Sequence, residues 1–247
     1  MFLKYGTKEH LEGLRSGEMF FNPCKLFQNM EEEQINKGQG DRLDSFMAAK
    51  ASEVVLFSNE FYAKRSAIDF SVIVPKSKST PMFCIKVADD WHISKEQYEE
   101  IKKQSEDWTH VLVIRDEDAF LENVRVSMKN RAFGHKVFYE NVMCDDFVDF
   151  LKQGESDFLF YKPKASHRRY YMDIKVTRFD GSPGGIIRID DSNYYKTMYK
   201  KDVFFKSQNE YRIVLPYESI DKGKLYSINP FEAEILDLGQ TIIGGNI

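Results

Sequence analysis

The apolar residues of this chain come in short runs, and that limits its fold more than any other feature. Val54-Val55-Leu56-Phe57 and Val111-Leu112-Val113-Ile114 are typical. Such runs are far below the about 20 residues of a membrane-spanning helix and suit strands buried in a sheet. From Phe158 onward the pattern predicts strands at Tyr170–Thr177, Gly185–Ile189, Val203–Pro216, Leu225–Ile228 and Ala233–Ile243. Twenty Phe and thirteen Tyr among 247 residues favour strands and supply flat surfaces for bases or rings. With 42% hydrophobic and 30% charged residues the composition is that of a folded chain. The N-terminal Met-Phe-Leu-Lys-Tyr-Gly has no basic segment leading into an apolar one, so the expected location is the cytoplasm.

The first segment reads as strand, turn, short helix, strand. Phe2-Leu3-Lys4-Tyr5 reads as a short strand, Gly6 permits a turn, and Thr7 is a good N-cap with Glu9 in the first turn. Leu11 and Leu14 share a helix face, Gly17 stops the helix, and Met19-Phe20-Phe21 resumes as a strand before Asn22-Pro23. Residues 28–46 are polar, and a helix is expected around Asp44–Lys50. Strands follow at Val54–Phe57, Ile68–Val74, Met82–Val87, Val111–Ile114 and Lys136–Tyr139. Helices are expected from Ser94 (with Gln97 completing a capping box), after Asp116, and over Asp145–Gln153. Without an internal repeat or low-complexity linker, the pattern gives one α+β domain over residues 1–247. It has two mostly antiparallel sheets around a cleft and short helices on the flanks.

Common chemistries leave no signature. The three cysteines are widely spaced, no two histidines stand three or four apart, and GxSxG, GxGxxG and GxxxxGK[ST] are absent. A metal-ligand set is therefore not expected. Charge is uneven: residues 162–212 hold twelve Lys and Arg against six Asp and Glu in a chain of net charge −4. With Tyr170, Tyr171, Tyr194, Tyr195 and Tyr199 interleaved, that stretch suits a polyanion or a pyrophosphate; the plain alternative is solvated strand faces.

The segment Phe204–Leu215 is the most informative. Alternation places Phe205, Tyr211, Ile213 and Leu215 on one face and Lys206, Gln208, Glu210 and Arg212 on the other. One reading is a solvent-facing ion-pair ladder; the other is a carboxylate, Glu210, presented in a cleft and held ionised by Lys206 and Arg212.

Two islands resemble the ADP-ribosyltransferase fold of diphtheria-toxin-like and poly(ADP-ribose) polymerase enzymes. Tyr5-Gly6-Thr7, the short helix ending at Gly17 and the strand Met19-Phe20-Phe21 resemble that family's His-Gly-Thr motif and following elements. Asn209-Glu210-Tyr211 resembles the strand bearing its catalytic glutamate. The resemblance implies NAD as substrate. Gly6 and Thr7 would lie against the nicotinamide ribose and amide, with Tyr5 where the family has His. Phe21 or Phe27 would stack on the nicotinamide, and Glu210 would hold the ribose 2′-hydroxyl and stabilise an oxocarbenium-like state. Lys206, Gln208 or Arg212 would orient Glu210 or contact acceptor and phosphates, and Asp41 would act from the loop 28–46.

The outline also resembles bacterial proteins of unknown function, some associated with abortive-infection phage defence, through Lys4-Tyr5, Phe20–Pro23, Phe27-Gln28-Asn29, Gly40-Asp41 and Glu210–Val214. Together these imply a toxin or defence effector that transfers ADP-ribose to nucleic acid or protein, with an antitoxin-like partner conceivable. Two other readings stand beside it. One is a metal-dependent nuclease using Asp41, Glu210 and a nearby Lys, with Asp44 and Asp173 contributing. The other is a non-catalytic binding domain on the same fold.

Overall fold

A computed structural model describes residues 1–27, 46–58, 61–65, 69–73, 75–140, 170–177, 183–190 and 194–242. The expected helix Asp145–Gln153 and residues 28–45, with Asp41 and Asp44, lie outside them. The fold is α+β, built on a mainly antiparallel eight-stranded sheet with a small two-stranded sheet and short helices. A five-stranded antiparallel sheet is also present: β3 (Phe46–Ser58), β4 (Phe61–Arg65), β5 (Asp69–Ile73), β10 (Tyr170–Thr177) and β11 (Pro183–Asp190). Asp44–Lys50 was expected as a helix, but from Phe46 it is strand, pairing Phe46–Lys50 with Asp69–Ile73 of β5. Tertiary pairing overrides the helical preference of Met47-Ala48-Ala49.

The N-terminal grammar holds. β1 (Phe2–Gly6) leads into α1 (Lys8–Arg15), whose N-cap Thr7 accepts from the His10 amide, and β2 (Glu18–Pro23) follows. The expected caps of α2 (Lys95–Gln104) and α3 (Glu117–Ser127) also form: Ser94 and Gln97 complete a capping box, and Asp116 accepts from the Ala119 amide.

The large sheet runs β14 (Lys224–Ser227), β2, β6 (Pro81–Val87), β1, β7 (His110–Ile114), β15 (Glu234–Asp237). β13 (Glu210–Val214) lies on the other edge of β6 and carries β8 (Phe133–Lys136). Two cores cover its faces. Phe2, Phe21, Phe83, Ile85 and Ile213 pack with Leu11 and Leu14 of α1 and Phe120 and Val124 of α3. Leu3, Val111 and Val113 pack with Ile101 of α2 on the opposite face. Each such side chain contributes roughly 1.5–3 kcal/mol on burial.

β6 changes neighbours along one edge. Val87 and Lys86 pair with Phe2 and Leu3 of β1, whereas Met82 and Pro81 pair with Asn22 and Pro23 of β2. Between these pairings β1 and β2 diverge and the sheet opens into a seam. The register fixes what faces it. The Ala88 amide donates to Met1 and the Cys24 amide to Thr80, so Met82, Cys84 and Lys86 turn their main-chain groups toward this edge. Cys84 thus meets neither strand, and Tyr5, beyond the last β1–β6 pair, turns its main-chain groups to the same opening.

Gly17 closes the turn between α1 and β2 at φ +103°, and a Cβ there would lie 2.3 Å from the Ile228 carbonyl oxygen. Gly17→Ala should therefore cost at least about 2 kcal/mol in urea unfolding. Gly13→Ala, in the middle of α1 and facing only the movable Glu18 carboxylate, should stabilise by about 0.5–1 kcal/mol. Equal effects at the two positions would contradict the turn geometry.

Candidate functional site

β13 sets the site. A 3-10 turn over Val203–Gln208 precedes it where the sequence predicts a continuous strand from Val203. Asn209, at φ 43°, breaks the alternation, and its side chain donates to the Val87 carbonyl oxygen at 2.8 Å. Asparagine tolerates this left-handed conformation better than most residues. Within β13 the expected faces appear: Tyr211 and Ile213 enter the larger core, and Glu210 and Arg212 turn to the other side.

Glu210 is 14% exposed, and both its oxygens are engaged. Oε1 accepts from Lys201 Nζ at 3.0 Å and Oε2 from Arg212 Nε at 2.9 Å. Those cations are 2% and 1% exposed. Arg212 also donates to the Met198 carbonyl oxygen at 2.7 Å, and Lys201 to Gln208 Oε1 at 2.6 Å. Lys201 takes the place expected for Lys206, which the turn leaves exposed. It arrives on β12 (Lys200–Asp202), which pairs in parallel with β9 (Phe138–Glu140) and sets Lys201 opposite Tyr139. The two-stranded sheet thus delivers two groups to Glu210, because the Tyr139 hydroxyl accepts from the Glu210 amide at 2.8 Å.

Burial alone would raise the Glu210 carboxyl. The charges and hydrogen bonds of Lys201 and Arg212 overcome it and bring the pKa from 4.5 to about 2. Burial pushes the Cys84 thiol up to about 12, with Glu210 adding to the rise, so it is not an activated nucleophile.

Glu210 borders a cleft of about 270 Å³ at the seam, together with Lys4, Tyr5, Phe20, Cys84 and Trp108. Phe27 and Gln208 also line it. The Tyr5 ring stacks on Trp108 at 6.4 Å; among the described residues its buried hydroxyl has no hydrogen-bond partner, and burial pushes its pKa up to about 12. Lys4 Nζ donates to the Cys84 carbonyl oxygen at 2.7 Å and sits 4.8 Å from the centre of the Phe83 ring. Burial lowers the Lys4 pKa, against the opposing effects of Cys84 and Glu210.

The other expected residues fall elsewhere. Phe21 is 0% exposed, against Phe83 and Tyr226 in the core. Strand alternation gives the cleft Phe20 instead, 49% exposed. Thr7 caps α1, and Gly6 is held close to Leu11, where a Cβ would come 3.3 Å from Cδ2; neither lines the cleft. Arg212 lies behind Glu210 rather than in the lining. Tyr194, Tyr195 and Tyr199 are buried, as is Lys196, so this part of the basic, Tyr-rich stretch is interior. Lys4, Phe20, Trp108, Tyr139 and Lys201 were missed. Only the alternation of β2, applied to Phe20 rather than Phe21, carried a usable signal.

Among the described residues no group of three or more His, Cys, Asp or Glu could hold a metal ion, and no helix is long and apolar enough to cross a membrane. No protein-family model, curated protein or solved structure matches the chain.

Two outcomes test this geometry. Tyr5→Phe removes only an unsatisfied hydroxyl, so urea unfolding should show unchanged stability or a gain of up to about 1 kcal/mol. Glu210, depressed from 4.5 to about 2, contributes stability above pH 4.5 that is lost as pH falls toward 2. Wild type should lose about 3 kcal/mol across that window that Glu210→Gln does not lose. Parallel pH profiles would contradict the ionised pair.

Proposed function

We propose that the chain is an ADP-ribosyltransferase-like enzyme that cleaves NAD at the nicotinamide–ribose bond and passes ADP-ribose to a nucleic-acid or protein acceptor. One observation carries this reading: an ionised carboxylate, Glu210, faces an aromatic cleft in which the Tyr5 hydroxyl has no partner among the described residues. The sequence islands Tyr5-Gly6-Thr7 and Asn209-Glu210-Tyr211 support it, since Tyr5 of one and Glu210 of the other border the same cleft. On this reading the finer architecture is one domain over residues 1–247, with two mostly antiparallel sheets splayed around the cleft.

The donors and aromatic walls fit a nucleoside-sized group. The cleft is close to the lower end of the about 300–1,000 Å³ typical of ligand sites. NAD brings a glycosidic bond whose cleavage leaves its electron pair on nicotinamide and positive charge on the ribose. Glu210 is suited to that charge because it is already ionised and fixed, so no reorganisation is needed. Two of its roughly four lone-pair positions hold Lys201 and Arg212, which leaves acceptor capacity for a ribose hydroxyl. Tyr5 Oη would donate to the ligand, and Trp108, Phe20 and Phe27 would exclude water. The acceptor's oxygen or nitrogen then bonds to the ribose carbon and loses its proton.

The nuclease reading draws less support, because both Glu210 oxygens already neutralise side-chain cations that a metal ion would have to displace. An effector of this kind in the cytoplasm would need a neutralising partner, and a surface over the cleft is where an antitoxin-like protein would act.

Nicotinamide release from NAD by wild type and Glu210→Gln, with RNA, DNA and cell lysate as acceptors, tests the proposal. Acceptor-dependent release that falls roughly 10²–10³-fold in the variant is expected. Equal, negligible release from both proteins with every acceptor would overturn it.

A further inference from the structure

Several hydrogen-bond donors converge on the seam between β1 and β2. Lys4 Nζ uses one of its three donor positions, on the Cys84 carbonyl oxygen, and among the described residues no carboxylate lies within ion-pair distance of it. Among the described residues the buried Tyr5 hydroxyl has no hydrogen-bond partner. The register adds the main-chain N–H groups of Tyr5 and Cys84, while Lys4 occupies the Cys84 carbonyl oxygen. The cleft carboxylates do not supply the missing acceptors. Glu210 is engaged by Lys201 and Arg212, and among the described residues Glu100 of α2 makes no hydrogen bond or ion pair with Lys4 or Tyr5.

A half-buried amine with two of its three donor positions unfilled and a buried phenol with no partner among the described residues call for a ligand that brings several oxygens and negative charge. Because Lys4 and Tyr5 are successive residues of a strand, they reach the cleft from opposite sides of the free edge of β1. A single carboxylate would meet one of them; a diphosphate laid along that edge has oxygens for both. We infer that the free edge of β1 is a diphosphate-binding subsite, with Lys4 and Tyr5 as its donors, and that its ligand is a small nucleotide diphosphate. The cleft's volume of about 270 Å³ favours a small molecule over a polynucleotide chain. The inference goes beyond the transferase reading, because any nucleoside diphosphate ester would satisfy the same donors whether or not a glycosidic bond is cleaved.

Calorimetric titration of the full chain with inorganic pyrophosphate, ADP and a short single-stranded RNA separates the possible sources of phosphate. Wild type should bind pyrophosphate and ADP. Lys4→Met should weaken both by roughly 10–100-fold, the loss of a charge-assisted hydrogen bond. Tyr5→Phe, which keeps the ring and its stacking on Trp108, should weaken both by roughly fivefold and guards against a folding artefact in the lysine variant. Three results would overturn the subsite: no pyrophosphate binding by wild type, wild-type affinity in both variants, or Lys4-dependent binding of RNA tighter than that of ADP. None of these probes contains nicotinamide, so the result is independent of NAD cleavage.

Discussion

β6 cannot pair with β1 and β2 along the same stretch of one edge, and the site follows from that constraint. Val87 and Lys86 hold β1, Met82 and Pro81 hold β2, and Cys84 between them faces an opening. A continuous sheet would have satisfied these main-chain groups internally. The divergence exposes them to a cleft, and Lys4 reaches across to take the Cys84 carbonyl oxygen. The other edge of β6 is fully occupied by β13, which sets Glu210 opposite Lys86. A seam on one edge and a carboxylate on the other therefore lie within one strand's width.

Electrostatics then fix the state of that carboxylate. Burial would favour the neutral acid, yet two buried cations hold Glu210 ionised. The arrangement depends on both partners, because loss of either cation leaves burial less opposed, and loss of Glu210 removes the carboxylate from between Lys201 and Arg212. Tyr139 and Lys201 reach Glu210 on adjacent parallel strands, so the small sheet acts as a support for the larger one.

Local signals in the sequence were readable where chemistry is local. Thr7, Ser94 with Gln97, and Asp116 cap the helices expected from them, and the limits of β10 match the strand expected at Tyr170–Thr177. Glu210, Tyr5, Phe27 and Gln208 were named from the sequence and border one cleft. Long-range pairing was not readable. Met47-Ala48-Ala49 resembles helix until Phe46–Lys50 meets β5, and Lys206 looks like the natural partner of Glu210 until the 3-10 turn and Asn209 rotate it away. Lys201 could not be chosen because its position depends on β12 meeting β9, a pairing across some sixty residues. Phe21 attracted a ligand role on residue type, while parity in β2 sends it to the core and Phe20 to the cleft.

The seam itself can be measured directly by residue-resolved amide hydrogen exchange. The Cys84 and Tyr5 amides face the opening, whereas their neighbours in the ladders, Lys86 and Met82 among them, are paired to β1 and β2. The account predicts fast exchange at Cys84 and Tyr5 between strongly protected neighbours. Uniform protection along β6 and β1 would mean a continuous sheet with no opening, and would contradict the account.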